Sequence, residues 1–133
     1  ARLNHNGKIN KILVVDDDED DLRLVQKILN ESKQFQTIAA QTGAEGLEIM
    51  AADKPDAVIL DLFLTDTNGF TILEKMRSDA DLKELPVIIL TGADLTPEQH
   101  QQLAAFGQQL LSKATFKESE LLSSLDSALR RLS

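Results

Sequence analysis

The stretch AVILD at residues 57–61 decides the fold, because it is a short apolar run that ends in an acid. A second stretch of the same kind, ILVVDD, occupies residues 12–17. Short apolar runs of this type are typical of strands that are buried on both faces of a parallel sheet. The carboxyl ends of such strands line one crevice, where ligands bind. We therefore expect Asp16, Asp17 and Asp61 to meet at one site.

Three carboxylates at one crevice predict a bound cation. Negative charges that lie close together raise one another's pKa, so they stay ionised at low cost only when a positive charge joins them. The chain has no cysteine and only two histidines, which argues against a zinc site. The sequence therefore predicts a divalent-metal site that includes a reactive aspartate.

The composition is that of one globular domain with an acidic surface. A chain of 133 residues is long enough for one core, and its net charge of −8 argues against direct binding to nucleic acid or anionic membranes. The longest apolar runs have the length of strands, so no membrane insertion is predicted. Residues 1–10 are polar and are predicted to form a linker or arm, whereas residues 11–132 are predicted to form the domain.

From residue 11 onward, apolar strands alternate with amphipathic helices. Strands are predicted at about 11–15, 35–40, 57–61, 87–90 and 108–112, and the last helix at about 118–132. A single helix between successive strands requires right-handed crossovers and a parallel sheet that is covered on both faces. We therefore predict an α/β fold of the (βα)5 type, a doubly wound, flavodoxin-like parallel sheet of five strands.

Two threonines mark the starts of helices. Thr42 and Glu45 have the spacing of a capping box, and Thr96 is followed by a proline and then by Gln99 at the corresponding position. The acids Asp18, Glu19, Asp20 and Asp21 are interpreted as partners of the positive end of the first helix.

The residues at the predicted strand ends resemble the receiver domain of two-component response regulators. The matching positions are Asp16 and Asp17 after strand 1, Asp61 after strand 3, Gly69 eight residues later, Thr91 after strand 4 and Lys113 after strand 5. The resemblance covers about residues 11–132. One such position alone would be weak evidence, but together they occur in the right order on the right elements.

The resemblance implies a phosphorylation-dependent signalling switch of a two-component or phosphorelay system. Asp61 would accept a phosphoryl group from a phosphohistidine, with Mg²⁺ as the cofactor. The implied metal ligands are Asp16 (through water), Asp17, Asp61 and the backbone carbonyl of Phe63. Lys113 would pair first with Asp61 and then with a phosphoryl oxygen, and Thr91 would hydrogen-bond another phosphoryl oxygen.

The resemblance also implies partners and a location. The expected partner is a histidine kinase or a histidine phosphotransfer protein, and the expected location is the cytoplasm. The chain would be a phospho-acceptor rather than a conventional enzyme, with slow self-catalysed phosphorylation and dephosphorylation. Residues 85–98 and 111–116 look like those of receivers in hybrid sensor histidine kinases, so a hybrid kinase and a stand-alone regulator both stay open. The oligomeric state is left open as well.

Four positions depart from the pattern of this family. Thr65 and Ala114 stand where prolines are usual, the latter in a cis peptide, and a cis bond before a non-proline residue costs about 3 kcal/mol. We therefore expect a trans bond or a rearranged loop after Lys113. Leu110 replaces a frequent aromatic, and Gly92 replaces a frequent alanine. These differences leave the phosphorylation chemistry in place and concern the output surface.

Two alternative functions stay open. Asp61 and Thr65 match part of the signature of haloacid-dehalogenase-like phosphatases, but Phe63 occupies the position of their second aspartate. The second alternative is a non-phosphorylated interaction module with a receiver fold. A calcium-binding EF-hand loop starting at Asp16 is excluded, because Asp21 and Lys27 occupy its glycine and glutamate positions.

Overall fold

The computed structural model of the chain describes residues 9–92, 94–106 and 109–130. Its strands are β1 (Asn10–Val15), β2 (Phe35–Ala40), β3 (Ala57–Leu60), β4 (Val87–Thr91) and β5 (Gln109–Ser112). Its helices are α1 (Glu19–Glu31), α2 (Gly43–Asp53), α3 (Gly69–Arg77), α4 (Pro97–Phe106) and α5 (Glu118–Arg130). The predicted alternation of strands and helices is therefore confirmed.

The strands form one parallel sheet in the order β2-β1-β3-β4-β5. This order confirms the predicted doubly wound, flavodoxin-like architecture. Strand β1 begins at Asn10, one residue inside the predicted arm, because Asn10 pairs with Phe35 of β2. Residues 1–8 of the predicted arm, residue 108 of the last predicted strand and residues 131–132 of the last predicted helix lie outside the described residues.

The sheet separates two apolar cores. Residues of β1, β3 and β4 that point to one face, such as Leu13, Leu60 and Ile89, pack with α2, α3 and α4. Their neighbours on the other face, such as Val14 and Ile88, pack with α1 and α5. The central strands are thus buried on both sides, which explains why their sequences are continuous apolar runs.

The strand order places the ends of β1 and β3 at the switch point of the sheet. Val15 pairs with Leu60, so the next residues, Asp16 and Asp61, leave neighbouring strands at the same edge. The chain runs from β1 to β2 on one side and returns to β3 on the other, which opens a crevice between the connecting loops.

Helix α2 packs closely against the sheet beside this crevice. A Cβ atom on Gly46 would lie 3.0 Å from a methyl group of Val15, and one on Gly43 would lie only 2.4 Å from a methyl group of Thr67. Glycine at both positions therefore lets the start of α2 approach β1 and the loop between β3 and α3. Among the described residues, no helix is both long and apolar enough to cross a membrane.

Candidate functional site

The structure brings together the three acids at the ends of β1 and β3. One carboxylate oxygen from each of Asp16, Asp17 and Asp61 lies within 4.8 Å of the other two. Asp16 and Asp61 are buried, with 3% and 7% of their surface exposed, and Asp17 is the most exposed of the three. The acids thus form a half-buried cluster that opens to solvent at Asp17.

Lys113 supplies the positive charge at this cluster. It follows β5, and its Nζ lies 2.8 Å from Oδ2 of Asp16, 2.9 Å from Oδ2 of Asp61 and 2.8 Å from Oδ2 of Asp21. Only 16% of the Lys113 side chain is exposed. The backbone N–H of Lys113 donates to the carbonyl of Thr91, which fixes the start of its loop to the end of β4.

Burial and ion pairing act in opposite directions on these groups. Burial raises the pKa of Asp16, and the hydrogen bond from Lys113 offsets only part of this effect. Burial by itself lowers the pKa of Lys113, but the hydrogen bonds to Asp16, Asp21 and Asp61 outweigh it, so its pKa is raised. Lys113 therefore stays an ammonium ion, and the site still carries more negative than positive charge.

The loop after β3 orients Asp61. The backbone N–H of Phe63 donates to Oδ1 of Asp61 at 3.2 Å, while Oδ2 faces Lys113. Further along this loop, the N–H of Gly69 donates to the carbonyl of Leu62 at 2.5 Å. A Cβ atom on Gly69 would lie 2.8 Å from the Cα of Leu62, so a side chain there would push the loop away from Asp61. This contact is the physical reason for a glycine eight residues after the acid.

The same loop is fixed at two further points. The hydroxyl of Thr65 donates to Oδ2 of Asp17. The carboxylate of Asp66 accepts from the N–H groups of Gly43 and Ala44 at 2.9 and 3.1 Å, at the start of α2. These hydrogen bonds lower the pKa of Asp66, since they favour its charged form at a helix N-terminus. The loop therefore connects the acidic cluster with α2.

Thr91 and Phe63 occupy the edges of the site. Thr91 is the last residue of β4, which is the neighbour of β3 in the sheet. Only 4% of its surface is exposed. Phe63 follows Asp61 by two positions, and 42% of its surface is exposed. The Lys113–Ala114 bond is trans, as the missing proline predicts.

The sequence analysis placed Asp21 only at the N-terminal end of the first helix, and the structure also brings it to the site. Asp18 is the N-cap of α1, where its Oδ1 accepts from the N–H groups of Asp20 and Asp21 at 3.0 Å, as its interpretation as a helix partner predicts. Asp21, however, also reaches Lys113. The sequence did offer a signal for this contact. Asp21 lies four residues after Asp17, in the first turn of the helix that begins beside the crevice.

The donor set fits a small divalent cation. Asp16, Asp17 and Asp61 offer carboxylate oxygens, the ligands that Mg²⁺ prefers, and the described residues around them contribute one ammonium ion against four acids. The pKa of Asp16 is raised because the positive charge of Lys113 offsets only part of the effect of burial on its carboxylate. A divalent ion would supply the missing positive charge.

Comparisons with known proteins agree with this geometry. The response regulator receiver domain family matches residues 12–126. The response regulator MprA of Mycolicibacterium vanbaalenii is 37% identical over 124 residues, which cover 91% of this chain and 51% of that protein. The chain thus spans about half the length of this relative.

Solved structures show the same similarity. The chemotaxis protein CheY4 of Vibrio cholerae is 27% identical with a TM-score of 0.81, and the match covers 91% of this chain and 99% of CheY4. A CheY-like response regulator receiver domain protein from Methanospirillum hungatei is 25% identical with a TM-score of 0.83 and covers 93% of this chain and 96% of its own.

Proposed function

The chain belongs to the family of response regulator receiver domains, and on this premise we propose that Asp61 is its phospho-acceptor. The family assignment makes the chain a signalling domain of two-component systems rather than a conventional enzyme. The proposal adds the acceptor, the metal ligands, the Mg²⁺ cofactor and the phosphodonor. It also adds a cytoplasmic location and slow self-catalysed phosphorylation and dephosphorylation.

The observation that carries the proposal is the double contact of Lys113. Its ammonium group lies 2.9 Å from the Asp61 carboxylate and 2.8 Å from that of Asp16, at an acidic cluster that fits a metal ion. Two of the three carboxylates that this ammonium group contacts belong to the cluster. Here one cation lies between a nucleophile and a metal-binding carboxylate, so it can stabilise negative charge that arrives with a phosphoryl group.

The proposed reaction is a direct transfer to an oxygen of Asp61. This oxygen forms the new O–P bond while the P–N bond of a phosphohistidine breaks. The electron pair of that bond stays on the imidazole nitrogen, which takes a proton from solvent. The N–H of Phe63 and the ammonium group of Lys113 hold the two Asp61 oxygens in a fixed orientation during the attack.

Asp16, Asp17 and Asp61, with the carbonyl of Phe63, would hold Mg²⁺, which supplies charge neutralisation between the carboxylates and the phosphoryl oxygens. After transfer, Asp61 has lost its negative charge, so Lys113 can donate to a phosphoryl oxygen instead. The Thr91 hydroxyl, at the end of the neighbouring strand, would bind a second phosphoryl oxygen. Movement of the loop after β4 toward that oxygen would then pass the signal to a partner.

The proposed donor is a histidine kinase or a histidine phosphotransfer protein. The net charge of −8 opposes binding to nucleic acid, so the output of the chain is proposed to pass through protein contacts. The haloacid-dehalogenase-like alternative is not favoured, because the chain matches the receiver family over residues 12–126 and Phe63 replaces the second aspartate of that alternative.

The test is phosphorylation by a small-molecule phosphodonor with Mg²⁺, read by intact mass. The native chain should gain one phosphate, and Asp61→Asn should gain none, since an amide of the same shape is a poor nucleophile. Asp79→Asn removes an exposed acid of the α3–β4 connection and should label normally. A full single phosphate on Asp61→Asn would show that another residue is the acceptor.

Two further outcomes separate the alternatives. Repeated turnover of a phosphatase substrate, rather than one phosphate per chain, would favour the phosphatase. Failure of the native chain to bind beryllofluoride with Mg²⁺ would favour an interaction module without phosphorylation.

A further inference from the structure

Lys113 has one ion-pair partner that the metal site does not use. Three carboxylates lie within 2.9 Å of its Nζ in the described part of the chain. Asp16 and Asp61 also belong to the cluster that fits a metal ion, whereas Asp21 does not. The carboxylates that pair with Lys113 and those that fit a metal ion therefore share Asp16 and Asp61 but differ in Asp21.

This overlap matters because two of the three partners change when the site is used. A divalent ion beside Asp16 and Asp61 attracts their charge and repels the ammonium group of Lys113. Phosphorylation then turns the Asp61 carboxylate into an acyl phosphate, which moves the negative charge from the carboxylate oxygens to the phosphoryl oxygens. Asp21 belongs neither to the acidic cluster nor to the proposed phospho-acceptor, so neither event acts directly on its carboxylate.

The backbone around Asp21 makes it a fixed point. Asp21 lies in the first turn of α1, and its N–H donates to the N-cap carboxylate of Asp18 at 3.0 Å. Its own Oδ2 accepts from Lys113 across 92 residues of sequence at 2.8 Å. The side chain is 38% exposed, so it lies at the rim of the crevice, outside the buried part of the cluster.

We infer that Asp21 is a positioning residue that keeps Lys113 in the crevice when Asp16 and Asp61 bind the metal ion. This inference rests on the proposed function, because it assumes a metal ion at the acidic cluster. Asp21 acts through Lys113 and does not itself contact the phosphoryl group. Its removal leaves Lys113 with only the two partners that the metal ion also attracts, so the defect is largest in the Mg²⁺-bound state.

The chain offers a matched control in Asp20. Asp20 and Asp21 are adjacent in the first turn of α1, and both N–H groups donate to Asp18. Asp20→Asn therefore makes the same change in net charge and at the same helix end as Asp21→Asn. The Asp20 side chain is exposed and is not among the ion-pair partners described for Lys113. Asp21→Glu restores the charge and serves as the conservative rescue.

The test is an NMR measurement on protein labelled with ¹⁵N-lysine, in which the Lys113 ammonium signal is assigned with Lys113→Arg. The exchange of its protons with water is slow while the group is held by carboxylates. With saturating Mg²⁺, exchange should be several-fold faster in Asp21→Asn than in the native chain. It should be unchanged in Asp20→Asn and largely restored in Asp21→Glu. Without Mg²⁺, the differences from the native chain should be smaller.

Backbone amide shifts report Mg²⁺ binding in the same samples. If Mg²⁺ binds and Asp21→Asn keeps native exchange, the inference is wrong while the proposed metal site stands. If Mg²⁺ fails to shift the amides around Asp16 and Asp61 in the native chain, the metal site itself is wrong and the inference falls with it. If Asp20→Asn loosens Lys113 as much as Asp21→Asn, the effect is one of helix charge and the positioning role is overturned.

Discussion

The hydroxyl of Thr65 donates a hydrogen bond to Oδ2 of Asp17, the most exposed acid of the cluster at the ends of β1 and β3. Thr65 stands where a proline is usual in this family, and a proline has no group that could make this contact. The loop after β3 thus holds one carboxylate oxygen of Asp17. This contact restricts the rotation of the Asp17 side chain and so orients its other oxygen. This arrangement reduces the conformational freedom that metal binding would otherwise have to remove.

Thr65→Val should weaken Mg²⁺ binding without disrupting the fold. A single exposed hydrogen bond to a carboxylate contributes on the order of 1 kcal/mol, so affinity should fall about fivefold. Isothermal titration with Mg²⁺ measures the change, and Thr65→Ser, which keeps the hydroxyl, should bind nearly as the native chain does. Tighter binding by Thr65→Val would mean that the hydroxyl competes with the metal instead of positioning its ligand.

Lys113→Ala should destabilise the apo protein, and Mg²⁺ should restore part of the lost stability. The substitution leaves the buried carboxylates of Asp16 and Asp61 without their cation, at a cost of about 2 kcal/mol. Urea unfolding with and without Mg²⁺ measures both effects. Lys27→Ala, which removes an exposed lysine from α1, should change neither. Equal stability of the Lys113 and Lys27 variants would show that the acids are well solvated despite their burial.

Asp66→Asn should reduce stability at neutral pH, and the difference should disappear in acid. The pKa of Asp66 is lower in the folded than in the unfolded protein, because its charged form accepts two N–H groups of α2. The charge therefore stabilises the fold above the ordinary carboxyl pKa of 3.8, and this contribution is lost as pH falls through the lower folded value. Denaturation measured from neutral pH into acid should show the gap between the two proteins narrowing as the pH falls below 3.8. A constant gap at all pH values would point to lost hydrogen bonds rather than lost charge.

Phe63→Asn should shorten the lifetime of the phosphorylated chain. The resemblance to this family implies that the residue two positions after the proposed acceptor lies beside the route of the hydrolytic water, and a phenyl ring there could not hold that water. Ala93, the second such position, also lacks a polar side chain but lies outside the described residues. We expect decay about tenfold faster with asparagine, equivalent to roughly 1.4 kcal/mol in the barrier.

The decay is followed by intact mass in the presence of Mg²⁺. Phe63→Leu provides the control, because leucine is also unable to bind water, and it should decay as slowly as the native chain. Equal rates for the native chain and the asparagine variant would remove Phe63 as the cause of slow hydrolysis.

The sequence predicted the parts of the site that follow from the sheet. Asp16 and Asp61 lie at the ends of apolar runs, and parallel pairing brings such ends together whatever the helices do. The cap at Thr96 was equally local: its hydroxyl accepts from the N–H of Gln99, and the Gln99 side chain accepts in return. At Thr42 the pattern held only in part, since Glu45 accepts from the N–H of Gln41 instead.

The contacts of Asp21, Thr65 and Asp66 could not be predicted in the same way. Each depends on how a loop or a helix end leans over the crevice, and that orientation is set by packing between distant segments. The close approach of α2 at Gly43, beside Thr67, is one such determinant, because it brings the N–H groups of the helix to Asp66. An acid in the first turn of a helix looks the same in sequence whether it faces solvent or Lys113.

The exposed position of Phe63 suits a fluorescence probe of the acidic cluster. Its ring is 42% exposed and lies two residues from Asp61, while the whole sequence contains neither tryptophan nor tyrosine. Because the native protein has no indole emission of its own, tryptophan introduced through Phe63→Trp would be the sole emitter in the spectrum. Its fluorescence would respond to ions and groups that enter the acidic cluster, and it would do so without background from the rest of the molecule.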